Sequence, residues 1–342
     1  MLTRIANRLR LFSDYLLGRT TLRGRPMHLT LESTNKCNLA CPMCNRELDP
    51  LPRGHMTLHL FRSIIDQCRS TLEFIWPFGE GEPLLNEHIY DMVSYARKSG
   101  IHVEISTNAT LLDETRSRHL LASGADNIIL AFDGATPGSY EKYRAGARFE
   151  DVKHRIEQFL RLKIQMRSRA RVILQMVLLR DNQNEVEQFR RMWTRPGVDA
   201  LRFKEDQLKY ESLRANIYKP QTAQRRAPCY LLWRGPLFIR HDGTVSPCCR
   251  FQGRPPLGDL KRQTFDEIWN SEKLQALRRA HVTGDLTAFE PCRDCTIPRP
   301  TRLFTLGVLL INPLTVSRLL PYVERLHLAG RVRAFQDSYG AR

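Results

Sequence analysis

Nine cysteines carry most of the chemical potential of this chain, and they are not evenly spread. Cys37, Cys41 and Cys44 stand at C-x3-C-x2-C spacing in Thr34-Asn35-Lys36-Cys37-Asn38-Leu39-Ala40-Cys41-Pro42-Met43-Cys44. Three thiolates from one turn can hold three corners of an iron–sulfur cubane and leave one iron without a protein ligand. That iron can bind a small molecule, which the closed four-cysteine electron-transfer clusters cannot do. Zinc is the competing metal. Structural zinc takes four ligands, and the nearest further donor, His55, lies eleven residues beyond Cys44. A second group comprises Cys229, Cys248 and the pair Cys292-Arg293-Asp294-Cys295. Four ligands from a hairpin and a distant C-x2-C can close a tetrathiolate site for an iron–sulfur cluster or for zinc.

Elements that could position these groups follow from periodicity. Strands are expected at 28–32, 72–76, 102–106, 127–132, 172–178 and 200–203, alternating with helices at 58–68, 87–98, 114–122, 151–162 and 185–192. Such alternation calls for a parallel sheet with right-handed crossovers, closed as a partial (β/α)6 barrel of TIM type with its site on the loops after the strands. Residues 210–226 read as a polar linker. Beyond it, Asp242-Gly243 between apolar runs signals a hairpin, and Thr264-x-x-Glu267 a capping box that opens a helix. This gives an α/β chain in four parts: a basic amphipathic helix (1–27), the barrel (28–210), a small hairpin-plus-helix cluster domain (228–300) and a basic apolar tail (301–342). Cys68 shares a helix face with Ile64 and Ile65 and reads as packing.

With 342 residues, 42% apolar and 26% charged, the chain is globular in composition, and a small disulfide scaffold is excluded. No secretory signal opens it, and an odd cysteine count argues against full pairing, so a reducing cytoplasm is expected. Lys and Arg number 53 against 36 acids, a net +17 that favours anionic partners. Just over half of that excess sits at the ends. Residues 1–27 hold six Arg against Asp14, and residues 301–342 six Arg against Glu324 and Asp337.

From the first cysteine group onward the chain resembles the radical S-adenosylmethionine (radical SAM) superfamily, in the SPASM/twitch subgroup with one auxiliary cluster. The resemblance runs over roughly residues 28–300. It implies a SAM-binding [4Fe-4S] cluster on Cys37, Cys41 and Cys44. Gly79-Glu80-Gly81-Glu82-Pro83 is similar to the family's Gly-Gly-Glu-Pro segment for the methionine amino group, with Glu80 in place of a glycine. There, glycine would let the backbone approach and Glu82 would offer an anion to the ammonium. Ser106-Thr107-Asn108 resembles the ribose-contacting segment. Asp133 and Arg144 occupy a stretch that helps hold the cofactor carboxylate, although Ala131 stands where relatives have a serine. Gln175 to Leu179 would form the apolar floor under adenine. An auxiliary [4Fe-4S] cluster falls to Cys229, Cys248, Cys292 and Cys295; the glycine-to-cysteine spacing selects Cys248 and leaves Cys249 as a buried neighbour.

The implied chemistry is reductive cleavage of SAM to a 5′-deoxyadenosyl radical, which abstracts hydrogen from substrate. The auxiliary cluster then suits a net two-electron oxidation by an oxidoreductase-type enzyme. A flavodoxin or ferredoxin would be the reducing partner. Residues 1–27 are too short for a leader-peptide domain, which favours a small, carrier-linked or lipid-linked substrate over a ribosomal peptide. Maturation of such a peptide, by thioether formation, C–C bond formation or epimerisation, is the alternative. A non-catalytic iron–sulfur or zinc protein is the alternative from another class. No basic–aromatic interleaving supports nucleic-acid binding. The apolar run 303–316 is too short to span a bilayer, so the basic ends suit peripheral membrane contact or docking on the barrel.

Overall fold

The computed structural model describes residues 2–44, 46, 51–205, 227–251, 254–293, 295, 302–311 and 315. The expected linker, the barrel's limit at 210 and most of the tail lie outside the described residues.

Helix α1 (Leu2–Leu16) precedes six strands: β1 (His28–Leu31), β2 (Phe74–Trp76), β3 (His102–Thr107), β4 (Asn127–Ala131), β5 (Arg171–Leu178) and β6 (Ala200–Glu205). All six run parallel, each beside the next in sequence. Between them cross α2 (Leu58–Cys68), α3 (Ile89–Lys98), α4 (Glu114–Ala122), α5 (Pro137–Tyr143), α6 (Phe149–Gln165) and α7 (Val186–Trp193). Strand alternation divides the side chains between two faces. Ile128, Leu130, Val172, Leu174 and Met176 join the main core under the helices, whereas Ile129, Ile173 and Ala200 form a separate apolar cluster on the other face. On that second face the buried Glu104 accepts from Trp76 Nε1 at 3.0 Å and Asn127 Nδ2 at 2.8 Å. This is the partial TIM-type barrel anticipated from periodicity. Helix α5, capped by the Thr136 side chain, was not anticipated.

The cluster region is built into the same sheet. Strand β7 (Leu237–Ile239) pairs parallel with β1, and β8 (Thr244–Ser246) and β9 (Gly258–Asp259) continue antiparallel, so the sheet reads β6-β5-β4-β3-β2-β1-β7-β8-β9. The hairpin therefore shares its first strand's hydrogen bonds with the barrel. The expected capping box at Thr264 and Glu267 opens the Phe265–Trp269 helix.

Residues 19–24 strap barrel and cluster region together. Asp14, wholly buried, accepts from the backbone N–H groups of Arg23 at 2.8 Å and Gly24 at 3.2 Å. The carbonyls so oriented take Trp233 Nε1 (on Arg19 O, 3.0 Å), Arg278 Nη1 (on Thr20 O, 2.9 Å) and Trp269 Nε1 (on Gly24 O, 2.8 Å). Removing the carboxylate leaves the buried Gly24 N–H and the part-buried Arg23 N–H without their acceptor. Asp14→Ala is expected to lower stability by about 2–3 kcal/mol in denaturant unfolding. A change within experimental error would show that the strap bears no load.

Candidate active site

The loop after β1 carries Cys37, Cys41 and Cys44, and neighbouring strand-end loops clamp it. Gly81, after β2, lies flat against it: a Cβ there would sit 2.3 Å from Thr34 O and 2.5 Å from Lys36 O. Only glycine permits that approach. Glu82 N donates to Lys36 O at 2.8 Å, so the two loops are joined through backbone. On the far side, Ala40 N donates to Ala145 O at 3.0 Å and ties the loop to the segment after α5.

Glu82 lies between the β2 loop and the end of β3. It is buried, and both carboxylate oxygens are occupied: Oε1 accepts from Thr107 Oγ1 at 2.7 Å and Leu84 N at 3.1 Å, and Oε2 from Asn108 N at 2.8 Å. Burial pushes its carboxyl above the ordinary carboxylate range, while these hydrogen bonds pull it back. Glu82 thus stitches the β2 loop to the end of β3. Thr107 is spent on the same stitch. Asn108 reaches the cysteine loop, its Nδ2 lying 3.1 Å from Asn38 Oδ1 and 3.9 Å from Cys37 Sγ. Ser106 remains half-buried on β3 and Pro83 starts a short turn behind Glu82.

Arg144, partly exposed, forms an ion pair with the buried Asp133, Nη2 and Oδ2 lying 2.5 Å apart. Asp133 Oδ1 also accepts from Val177 N at 2.7 Å, fixing the carboxylate between β4 and β5. Burial would pull the Arg144 guanidinium down, but Asp133 and Cys41 outweigh it, so the cation is held firmly charged beside Cys41. The ion pair and the cofactor-facing placement are therefore compatible: Asp133 orients an arginine that borders the first cysteine group.

The thiols fit an iron–sulfur cluster by donor chemistry. Burial chiefly raises Cys37 and pushes Cys44 up to about 11, with Glu82 and Cys41 adding at Cys37, and Glu80, Cys41 and Cys37 at Cys44. Three half-buried thiols crowd one another, and backbone N–H groups of Leu39 and Arg46 point at Cys37 and Cys44. A cationic iron cluster relieves that crowding by taking all three as thiolates. His55 pairs with Thr34 through backbone, and its ring senses Lys36 and His241. Among the described residues no group of three His, Cys, Asp or Glu side chains is arranged to hold a single metal ion.

In the second group Cys248 faces Cys249, Cys229 and Cys292, whereas Cys249 faces Glu80 and Cys295. Cys249, which the spacing leaves out of the ligand set as a buried neighbour, is half-buried and lies near Glu80 and Cys295. Glu32 was missed altogether. It is buried at the end of β1, where Oε1 accepts from Glu80 N at 3.3 Å and Oε2 from His241 N at 3.4 Å. One carboxylate thus joins the β2 loop to the β7–β8 hairpin. No sequence motif marks it, since its partners lie far along the chain.

Family comparison agrees with this geometry. The model of the radical SAM superfamily matches residues 31–192, and that of an iron–sulfur cluster-binding domain, SPASM, matches residues 229–296. The chain belongs to the radical SAM superfamily. As a radical SAM protein with a SPASM region, it uses S-adenosylmethionine, a [4Fe-4S] cluster and auxiliary iron–sulfur chemistry. It is 25% identical over 314 positions to the tungsten-containing aldehyde ferredoxin oxidoreductase cofactor-modifying protein of Pyrococcus furiosus, covering 79% of this chain and 87% of that one. It is 27% identical over 307 positions to the PqqA peptide cyclase of Gluconobacter oxydans, covering 80% and 84%. Its fold is similar to SuiB of Streptococcus suis bound to S-adenosylmethionine, with a TM-score of 0.60 at 13% identity over 76% of this chain and 69% of that one.

Gly81→Ala tests the clamp. The added methyl must push the cysteine loop away, at a cost of about 1–3 kcal/mol. After anaerobic reconstitution this variant is expected to hold clearly less iron per chain than the parent while keeping its far-ultraviolet circular dichroism. Full iron loading would show that the close approach is dispensable.

Proposed function

We propose that this radical SAM enzyme matures a peptide, abstracting hydrogen from one of its C–H bonds in a net two-electron oxidation. The observation that carries the chemistry is the placement of Arg144, held charged by Asp133, beside Cys41 on the loop that also carries Cys37 and Cys44. The peptide assignment is supported by likeness along most of the chain to a PqqA peptide cyclase, and along half of it to the mycofactocin maturase of Mycobacterium ulcerans at 26% identity. It replaces the small or carrier-linked substrate favoured by the short amino-terminal segment.

When bound at the cluster, S-adenosylmethionine supplies the hydrogen-abstracting radical. The protein supplies placement. Cys37, Cys41 and Cys44 hold the iron; Arg144, fixed by Asp133, meets the cofactor's carboxylate; the Gly81–Glu82 backbone faces its amino group; Ser106 and Asn108 offer hydrogen bonds to its sugar hydroxyls. Cys229, Cys248, Cys292 and Cys295 would hold the auxiliary cluster, which would supply an acceptor for the electron that the substrate radical loses after its hydrogen atom has left. A flavodoxin or ferredoxin would supply the separate electron that cofactor cleavage consumes. Likeness to a cofactor-modifying protein favours, as a second reading, a small cofactor as substrate.

Anaerobic reconstitution with dithionite and S-adenosylmethionine is expected to yield 5′-deoxyadenosine, abolished in Cys41→Ala. A loaded, reducible protein yielding none would reject radical chemistry. Cys292→Ala is expected to keep that cleavage and lose the modified peptide, seen by mass spectrometry as a failure to lose hydrogen. Turnover of a small cofactor with every peptide left unchanged would select the second reading.

A further inference from the structure

Helix α1 is turned opposite to the sense its composition suggests. It buries Asn7, Leu11, Asp14 and Tyr15 against the protein. Its apolar stripe points outward: Leu2 is 82% exposed, Leu9 56%, and Ile5 and Leu16 more than 40% each. These residues recur at helical spacing on the side away from the buried face. The stripe continues into Leu17, 62% exposed, and Val282, which packs on Gly18. The Arg302–Leu310 helix packs beside α1 and adds exposed Leu310 and Ile311.

Charge says what could cover this patch. The only acid in residues 2–25 is Asp14, wholly buried and paired with Arg19 and Arg23; Arg8 pairs with Glu73 and Arg25 with Asp266, so among the described residues Arg4 and Arg10 are the cations of α1 outside ion pairs, and α1 adds no exposed acid. The tail beyond is basic as well. A second copy docked by a twofold axis would set arginines against arginines, and the tail would bring like charge. A surface that is apolar beneath and anionic above satisfies both halves of the patch.

We propose that the outward face of α1, with Leu17, Leu310 and Ile311, seats the protein on an anionic lipid surface. The contact is peripheral: among the described residues no helix is long and apolar enough to cross a membrane. At 15 residues and 1.5 Å per residue, α1 lies along the surface for about 22 Å. The geometry also sets orientation. Arg8 pairs with Glu73 just before β2, and Arg4 Nη1 donates to Gly100 O, at 2.7 Å, ahead of β3, so α1 crosses the amino-terminal ends of the strands. The loop of Cys37, Cys41 and Cys44 leaves the carboxyl-terminal end of β1. Lipid docking therefore points the active-site mouth away from the membrane, which anchors the enzyme without feeding it a substrate from the bilayer.

Co-sedimentation with vesicles tests this on the full chain carrying its clusters. Binding is expected to mixed phosphatidylglycerol–phosphatidylcholine vesicles, to weaken with salt, and to be near absent on phosphatidylcholine alone. Ile5→Ser combined with Leu9→Ser, at exposed positions, is expected to weaken binding by roughly tenfold or more, with an unchanged melting curve. Failure of the parent chain to bind anionic vesicles overturns the proposal, as does undiminished binding by the double variant. A concentration-dependent dimer in light scattering that the double variant abolishes, with no vesicle binding, would assign the patch to a second copy.

Discussion

The site depends on one close approach: the Gly81–Glu82 backbone pressed on the carbonyls of Thr34 and Lys36. The cysteine loop is held by this contact, by the antiparallel Thr34–His55 bridge with the Met56 N–Ser33 O bond beside it, and by the Ala40–Ala145 hydrogen bond opposite. Glu82 then spends its carboxylate on the end of β3, where three donors offset much of the cost of burying it. Three strand-end loops become one rigid collar. A cluster bound to three cysteines needs such a collar, because a small misplacement of the radical's source costs a great deal of rate.

The auxiliary region is held to the same standard by different means. Parallel pairing of β7 with β1 continues the barrel sheet into the hairpin. Above that seam, Glu32 accepts from both Glu80 and His241, so the loop facing the first thiols and the hairpin carrying Cys248 share one buried anion. From below, the strap of residues 19–24 is gripped by two tryptophans and Arg278. Electron transfer between two centres falls steeply with distance, and these ties keep the two cysteine groups at a fixed separation.

Much of this was legible in the sequence, for identifiable reasons. Periodicity located six strands because each buries one helix-facing row, and the Thr264–Glu267 box is a purely local signal. Cysteine spacing marked both thiol groups because loop geometry alone makes C-x3-C-x2-C a chelate. What escaped detection depends on contacts between distant residues. Nothing near Glu82 in sequence says that Thr107 and Asn108 will claim its charge. Nothing in the spacing around Cys249 says that it will lie near Glu80 and Cys295. The amphipathic α1 was recognised but not its orientation, which is decided by Asp14 gripping the strap.

The central claim is that Cys37, Cys41 and Cys44 leave one iron open for S-adenosylmethionine. Electron–nuclear double resonance of the reduced protein, mixed with cofactor labelled at its amino nitrogen and carboxylate oxygen, measures this directly. The account predicts coupling of both labels to a single cluster iron. A reduced cluster whose spectrum carries neither coupling, with all four irons held by protein, would contradict it.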